Sequence, residues 1–554
     1  MPRDDVAISS FNSINMATFE LQMKMNTNPM KKVIIIFFTM LALAVNINAQ
    51  VNYYVSLSGN DDDTGLSLSH AWKTIQKAAN ELHAGDTVFI TSGIYEEIVI
   101  PVNSGKANNY ITYTAYSGDT VIIDGASFAN TYLQYPDRGL FDIKTKFYLN
   151  VIGLSFINSN AGGIMCRYGS SHIHIYDNTI KHCQATGIGV GYSRDSFPLA
   201  TNIIVSGNVV DSCSMVSRES ISFRSVDTFE ICNNRVQNTP KEAIDAKSGC
   251  SNGKIYKNTI CNAGLGIYID AGYPDSLYVS ENNIYIYQNI VKNSTASFAV
   301  ASEMGCLAEN IWFYNNIAYD STPQPGNGFV VADFGISGPL QNIFIVNNTI
   351  YNKGQRGIYI NNLNVRNIFI QNNICSQNSI SQIDVKSYLI DSVTVAYNLI
   401  DGINVDDGSF PIFGNPGFAN TSDEDFHLTI NSPAIDNGTS VNAPATDFDS
   451  IVRPIGLGYD VGAYEYSISQ SLFSNHKNDK CYCYPNPTKG VFYVEGDDIQ
   501  QVQVISIMGQ LVKQYSVDEN NKKTTINLFD DTKGVCFIRI FTSNRIFIEK
   551  IVVQ

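Results

Sequence analysis

The stretch Ile175-Tyr-Asp-Asn178-Thr-Ile180 sets a pattern that the chain keeps repeating: an asparagine flanked at alternate positions by β-branched or aromatic residues. It returns at Asn208, Asn234, Asn258, Asn289, Asn316, Asn348, Asn373 and Asn398, in steps of roughly 24 to 32 residues. That is the length of one solenoid coil plus loop insertions. A second run follows most of these asparagines: Thr186-Gly-Ile-Gly-Val190, Ser220-Ile-Ser-Phe-Arg224, Ala243-Ile-Asp-Ala-Lys247, Gly266-Ile-Tyr-Ile-Asp270, Phe329-Val-Val-Ala-Asp333 and Gly357-Ile-Tyr-Ile-Asn361. Alternation with period two reads as strand, not helix. A coil that turns sharply between strands cannot bury its apolar face alone, so coils stack, and stacked asparagines form a ladder that satisfies the backbone groups of the turn. The expected fold is all-β, a right-handed parallel β-helix. Neither a leucine frame nor a Trp-Asp blade signature competes with it.

The totals agree with a large core and one or two satellite units: 554 residues, 44% hydrophobic and 16% charged. Lys and Arg number 36 against 51 Asp and Glu, a net charge of -15, which repels phosphate backbones and excludes nucleic acid as a partner. Met30-Lys31-Lys32, an apolar run from Val33 to Val45 and a small residue at Ala49 read as a secretory signal over 30–49. Residues 1–29 then read as an upstream artefact. The apolar run is too short to span a bilayer, and no transmembrane segment is expected in the mature chain. Eleven cysteines, an odd number for an oxidising compartment, form no dense framework and no CxxC pair. Cys232 and Cys306 read as buried small hydrophobes. Cys183 and Cys213 each follow a repeat asparagine by five residues, so they are placed to stack in adjacent coils and bridge.

Three blocks resemble known families. Tyr53-Tyr-Val-Ser, Gly59-Asn-Asp-Asp-Asp-Thr-Gly65, Ala71-Trp-Lys-Thr-Ile75, Gly85-Asp-Thr-Val88, Gly93-Ile-Tyr95 and Ile122-Ile-Asp-Gly125 look like the opening of exported β-helix proteins of the pectate-lyase-like superfamily. Within this block Trp72 to Leu82 places apolar residues on one helical face, suited to cap the first coil, whose bare edge would otherwise aggregate. Phe426-His-Leu-Thr, Ser432-Pro-Ala-Ile-Asp-Asn-Gly438, Asp447-Phe-Asp449, Arg453-Pro454 and Tyr459-Asp-Val-Gly-Ala-Tyr-Glu-Tyr466 are similar to the tail that follows many surface-destined β-helices. Tyr484-Pro-Asn-Pro-Thr-Lys-Gly490, Ile507-Met-Gly509, Gly534-Val-Cys-Phe-Ile-Arg539 and Lys550-Ile-Val-Val-Gln554 resemble the C-terminal sorting domain of the Bacteroidota type IX secretion system. That resemblance implies passage through the periplasm, engagement of the type IX machinery, and a product secreted or attached to the outer-membrane surface. The expected organisation is cap and first coils over 50–125, β-helix over 126–412, closing segment over 413–466, polar linker over 467–480 and a small β-sandwich of about seven short strands over 481–554. A monomer is expected.

Because inward and outward residues alternate, aligning the second strands puts their side chains in columns. One outward column reads Arg167, Gly191, Arg224, Lys247, Asp270, Ser302 with Glu303 beside it, Asp333 and Asn361; its neighbour reads Met165, Gly189, Ser222, Asp245, Tyr268, Val300, Val331 and Tyr359. Glu219 and Glu242 occupy matching places at the starts of their strands. A row of charges with an aromatic on one solenoid face suits an extended polysaccharide. Two chemistries fit it. In β-elimination of a uronate glycan, Lys247 is the base, Arg224 or Arg167 grips the carboxylate, and Glu219, Glu242 or Asp245 can hold Ca²⁺ through hard oxygens. In glycoside hydrolysis, Asp245, Asp270, Glu303 and Asp333 offer the pair of carboxyl groups that reaction needs. Tyr268 would line the substrate. Glu242-Ala-Ile-Asp-Ala-Lys247-Ser248 resembles the Glu-x-Ile-x-x-Lys-Ser segment of the alginate lyase and chondroitinase B family, which implies a calcium-binding glutamate and a lysine base; where that family has an arginine one coil on, this chain has Asp270. A non-catalytic, glycan-binding or adhesive surface protein is the third reading. Trp72 and Trp312 read as core or cap residues, and His172 and His174 as structural. No nucleophile elbow, phosphate loop or HExxH is present.

Overall fold

The computed structural model describes residues 50–128, 134–191, 198–272, 280–320, 326–335, 337–467, 482–496, 499–506, 511–517, 523–528, 534–542 and 546–553. The signal read over 30–49, residues 1–29 and the linker beyond Ser467 lie outside the described residues.

A thirteen-stranded sheet and a twenty-stranded sheet, parallel throughout, form the solenoid. The larger sheet bends around a corner, because Arg235–Lys247, Thr259–Asp270 and Ile290–Ala301 run through it. Each coil therefore presents three faces. Inside, Ile221, Ile244, Ile267, Phe298, Phe329, Ile358 and Ile383 stack in register, and all are buried in one continuous core.

The turn between the first two faces is held by the nine asparagines read from the sequence. From Asn178 to Asn373, each side-chain Nδ2 donates to the Oδ1 of the next at 3.0 Å, and that oxygen also accepts the backbone N–H of the earlier residue at 2.9–3.1 Å. The second Nδ2 proton reaches a strand carbonyl, such as Val151 O from Asn178 at 2.9 Å. A buried amide that leaves nothing unpaired stabilises a turn that would otherwise strand its backbone groups.

The residue before each ladder asparagine is left-handed, with φ between 52° and 56° at Asp177, Asn233, Lys257, Gln288, Asn315, Asn347, Asn372 and Tyr397. Asparagine tolerates that region better than most residues, hence the Asn-Asn doublets. Four of these side chains hold the closing segment. Gln288 donates to the carbonyls of Asp447 and Phe448, Asn315 to that of Thr446, Asn347 to those of Asp460 and Gly462, and Asn372 to that of Thr439. The segment's own acids cap its backbone. Asp436 Oδ1 accepts from the N–H groups of Leu457 and Gly458 at 2.8 Å. Glu465 accepts from Arg453 and from the N–H groups of Ile455 and Asp460. Burial pushes Asp460 up to about 7 despite its two backbone donors. His427 lies between Asp425 and Asp449, at 2.5 and 2.9 Å, with Tyr464 against its ring.

At the other end, Ile75–Glu81 forms the expected helix and buries Ile75, Ala78 and Ala79 against the solenoid core. Thr74 caps it, and Glu97 accepts the N–H groups of Ile75 and Gln76 at 2.9 Å each. Trp72 is buried as read. Gly65, at φ 73°, lies flat against the Trp72 ring, where a Cβ would come within 2.6 Å. His172 and His174 stack on Tyr148 and Tyr110.

Two expectations are corrected. Trp312 is not a core residue: it is half-buried on the outside of the first face, with its ring 3.7 Å from Phe344. Cys183 and Cys213 are neighbours as expected, but as free buried thiols, and no disulfide occurs among the described residues. Among its described residues the C-terminal unit has seven antiparallel strands in sheets of three and four, around a separate core that includes Phe492, Val504 and Ile538.

Candidate functional site

Ile221–Arg224, Arg235–Lys247 and Thr259–Asp270 lie side by side on the third face. Their register pairs Ser222 with Asp245 and Tyr268, and Arg224 with Lys247 and Asp270, so the side chains rise in steps of about 4.8 Å. That is the arrangement the sequence columns require, and Lys247 points away from the core.

At the centre, Lys247 Nζ contacts Glu219 and, at 2.8 Å, Asp245 Oδ2. Ser222 Oγ donates to the other Glu219 oxygen at 2.8 Å. Asp245 is buried, and its Oδ1 has no hydrogen-bond partner. Burial pushes its carboxyl up, with Lys247 opposing and Glu219 adding to the shift. Burial also raises Glu242, whose neighbours include Glu219 and Lys247.

One coil on, the Asp270 carboxyl is pushed up to about 6, first by burial and then by Glu303. Glu303 donates its backbone N–H to Asp270 Oδ1 at 3.4 Å and accepts the Tyr268 hydroxyl at 3.0 Å. Burial, then Asp270 and Glu303, raises the phenol of Tyr268, which keeps it a neutral donor. Phe334 lies 6.1 Å from the Tyr268 ring.

The columns diverge from the sequence reading at both ends. Past Asp270 the register continues through Ala301 and Ala332, and past Tyr268 through Ala299 and Val330. Ser302 and Asp333 therefore stand one position beyond their assigned column, and Val300 and Val331 point inward. Glu303 returns to the site by its contacts with Asp270 and Tyr268; Asp333 shows no such contact, only an N–H donated to Asn361 at 3.3 Å. Arg167 is 1% exposed. Its guanidinium forks onto Asp142 at 2.8 and 2.6 Å, so it has no surface with which to grip a substrate.

Sequence reasoning missed Glu281, a fully buried acid that accepts the Gly249 N–H at 2.6 Å and is raised by burial, with Asp270 and Asp245 among its neighbours. The left-handed Asn283 breaks the alternation of its strand, so that Glu281 faces inward with Ile284 and Ile286.

Glu219 and Glu242 do not fit a calcium site as placed: both Glu219 oxygens are engaged, and the Lys247 ammonium stands where a cation would be drawn. Among the described residues, no group of three His, Cys, Asp or Glu side chains is arranged to hold a metal ion. The chemistry present is that of crowded carboxyl groups, with Glu242, Asp245 and Asp270 pushed up by burial, a neutral phenol and an ammonium.

Residues 138–318 match the family described as right handed beta helix region, and residues 482–554 match the secretion system C-terminal sorting domain. The uncharacterized protein YwoF of Bacillus subtilis (strain 168) is 24% identical over 342 residues, 55% of this chain and 69% of that protein. Pectate lyase PEL9 of Emericella nidulans is 32% identical over 117 residues, 20% of this chain and 28% of the enzyme. The crystal structure of pectate lyase Pel9A superposes with a TM-score of 0.47 at 12% identity, over 76% of this chain and 98% of that one. The chain is a right-handed parallel β-helix protein. More particularly, its C-terminal residues match a secretion system sorting domain, which indicates type IX secretion to the cell surface or beyond. Among the described residues, no helix is long and apolar enough to cross a membrane.

Proposed function

We propose that this protein is a carbohydrate-active enzyme that hydrolyses glycosidic bonds of an extracellular polysaccharide. Asp270 is the general acid, Glu303 the partner carboxylate, and Lys247 with Glu219 and Asp245 the charged wall that positions the chain. The register that brings Lys247, Asp270 and Tyr268 onto one outward strip, with Glu303 joined to it, carries this reading. A carboxyl group titrating near 6 beside a second carboxylate supports the division of labour that glycoside hydrolysis requires. An ammonium held by two carboxylates has no lone pair to take a proton, which weighs against Lys247 as a base.

β-Elimination of a uronate is the second reading. The accessible Lys247 next to Arg224 and the stretch of likeness to a pectate lyase favour it. Incubating the protein with a panel of neutral and uronate polysaccharides separates the cases. Reducing ends without the ultraviolet absorbance of an unsaturated uronate support hydrolysis; that absorbance, lost in Lys247→Ala, would replace it with the lyase. Binding without turnover of any polymer sinks both and leaves an adhesin.

A further inference from the structure

We propose that the strip takes an uncharged glycan in preference to a polyuronate; this rests on the glycan-cleaving reading and narrows it. Five carboxyl groups, Glu219, Glu242, Asp245, Asp270 and Glu303, crowd one patch against three cations, Lys241, Lys247 and Arg224. The Lys247 charge is already engaged by Glu219 and Asp245, and Arg167 is withdrawn into its pair with Asp142. Past Asp270 the outward columns carry Ala299, Ala301, Val330 and Ala332. The next cations along the stack, Arg356 and Lys386, lie over Tyr359, and Arg356 is tied to Asp384 at 2.5 Å. A polymer with a carboxylate on every ring would press like charges together at distances shorter than the screening length of about 8 Å.

What the patch lacks is donors. Ionised carboxylates only accept hydrogen bonds, and Asp245 Oδ1, on a carboxyl that burial pushes up, has no partner. Sugar hydroxyls supply them. An uncharged ring also has no carboxylate to acidify its neighbouring C–H, which closes β-elimination and leaves hydrolysis. The C1–O bond breaks as the Asp270 carboxyl protonates the departing oxygen. Water delivers hydroxyl to C1 and its remaining proton to Glu303, and proton exchange with solvent restores both acids.

The test is retention of the full-length chain in native gels cast with xylan, mixed-linkage β-glucan or arabinan, against polygalacturonate or alginate, with chelator and with added calcium. At least one neutral polymer should bind about tenfold more tightly than either polyuronate, a gap of about 1.4 kcal/mol. Glu303→Gln and Glu219→Gln, whose binding can be read even if turnover is lost, should narrow it. Tightest binding to a polyuronate, with or without calcium, overturns this inference and leaves the glycan-cleaving reading standing. Absence of both retention and turnover on every polymer overturns the two together.

Discussion

The asparagine ladder and the charged strip are both columns on the same stack, one coil apart at each step, yet they obey opposite rules. The ladder repeats one residue nine times, and each buried amide donates and accepts. The strip changes residue at every coil, leaves Asp245 Oδ1 without a donor and holds Asp270 near 6. Repetition with full pairing is how a solenoid stabilises itself; variation with unspent acceptors is how it prepares to meet something else.

Substitutions can break that contrast, and the largest effect should fall on catalysis. Asp270→Asn should lower kcat by roughly 10²- to 10⁴-fold while barely moving the thermal midpoint; a large loss of stability with turnover kept would refute the contrast. Asn316→Ala should do the reverse. It leaves partners of a buried amide unpaired, should cost about 3 kcal/mol in denaturant titrations, and should leave the activity of the folded fraction intact.

The next effect concerns pH. His427 is raised to about 9, its two carboxylate partners outweighing burial. Since the folded value lies above the ordinary 6.5, its stabilisation is complete below pH 6.5 and fades as pH rises through about 9. The loss should be about 2 kcal/mol, absent in His427→Ala. The smallest effect is at Asp245→Asn. Removing a buried carboxylate while Glu219 still engages Lys247 should change stability by less than about 1 kcal/mol, yet weaken glycan binding. If instead it destabilises as much as Asn316→Ala, the strip is merely another structural column.

The ladder was legible because its signal is one residue type at a regular step, and the register from Arg224 to Asp270 followed because those strands alternate cleanly between apolar and polar. The reading slipped at Ala299-Val300-Ala301 and Val330-Val331-Ala332, which are buried on both faces. A strand covered on both sides loses its period of two, and only the stacking of Phe298 on Phe329, with ring centroids 4.6 Å apart, restores the count. Arg167 was misread because its partner, Asp142, stands on Gly139–Lys144, one strand before the first of those aligned. The His427 cluster stayed hidden for another reason: Asp425 is its neighbour on one strand, but Asp449 meets it only through the fold of the closing segment.

That segment runs back along the stack, gripped by side chains of four successive coils from Gln288 to Asn372. It works as a splint. A bare array of coils frays one unit at a time, since each touches only its neighbours, but a strap across four of them makes their opening a joint event. A nick between Thr439 and Gly462 should therefore loosen the distal coils as a block while the proximal ones hold. During synthesis, the distal coils cannot be locked until the strap has been made.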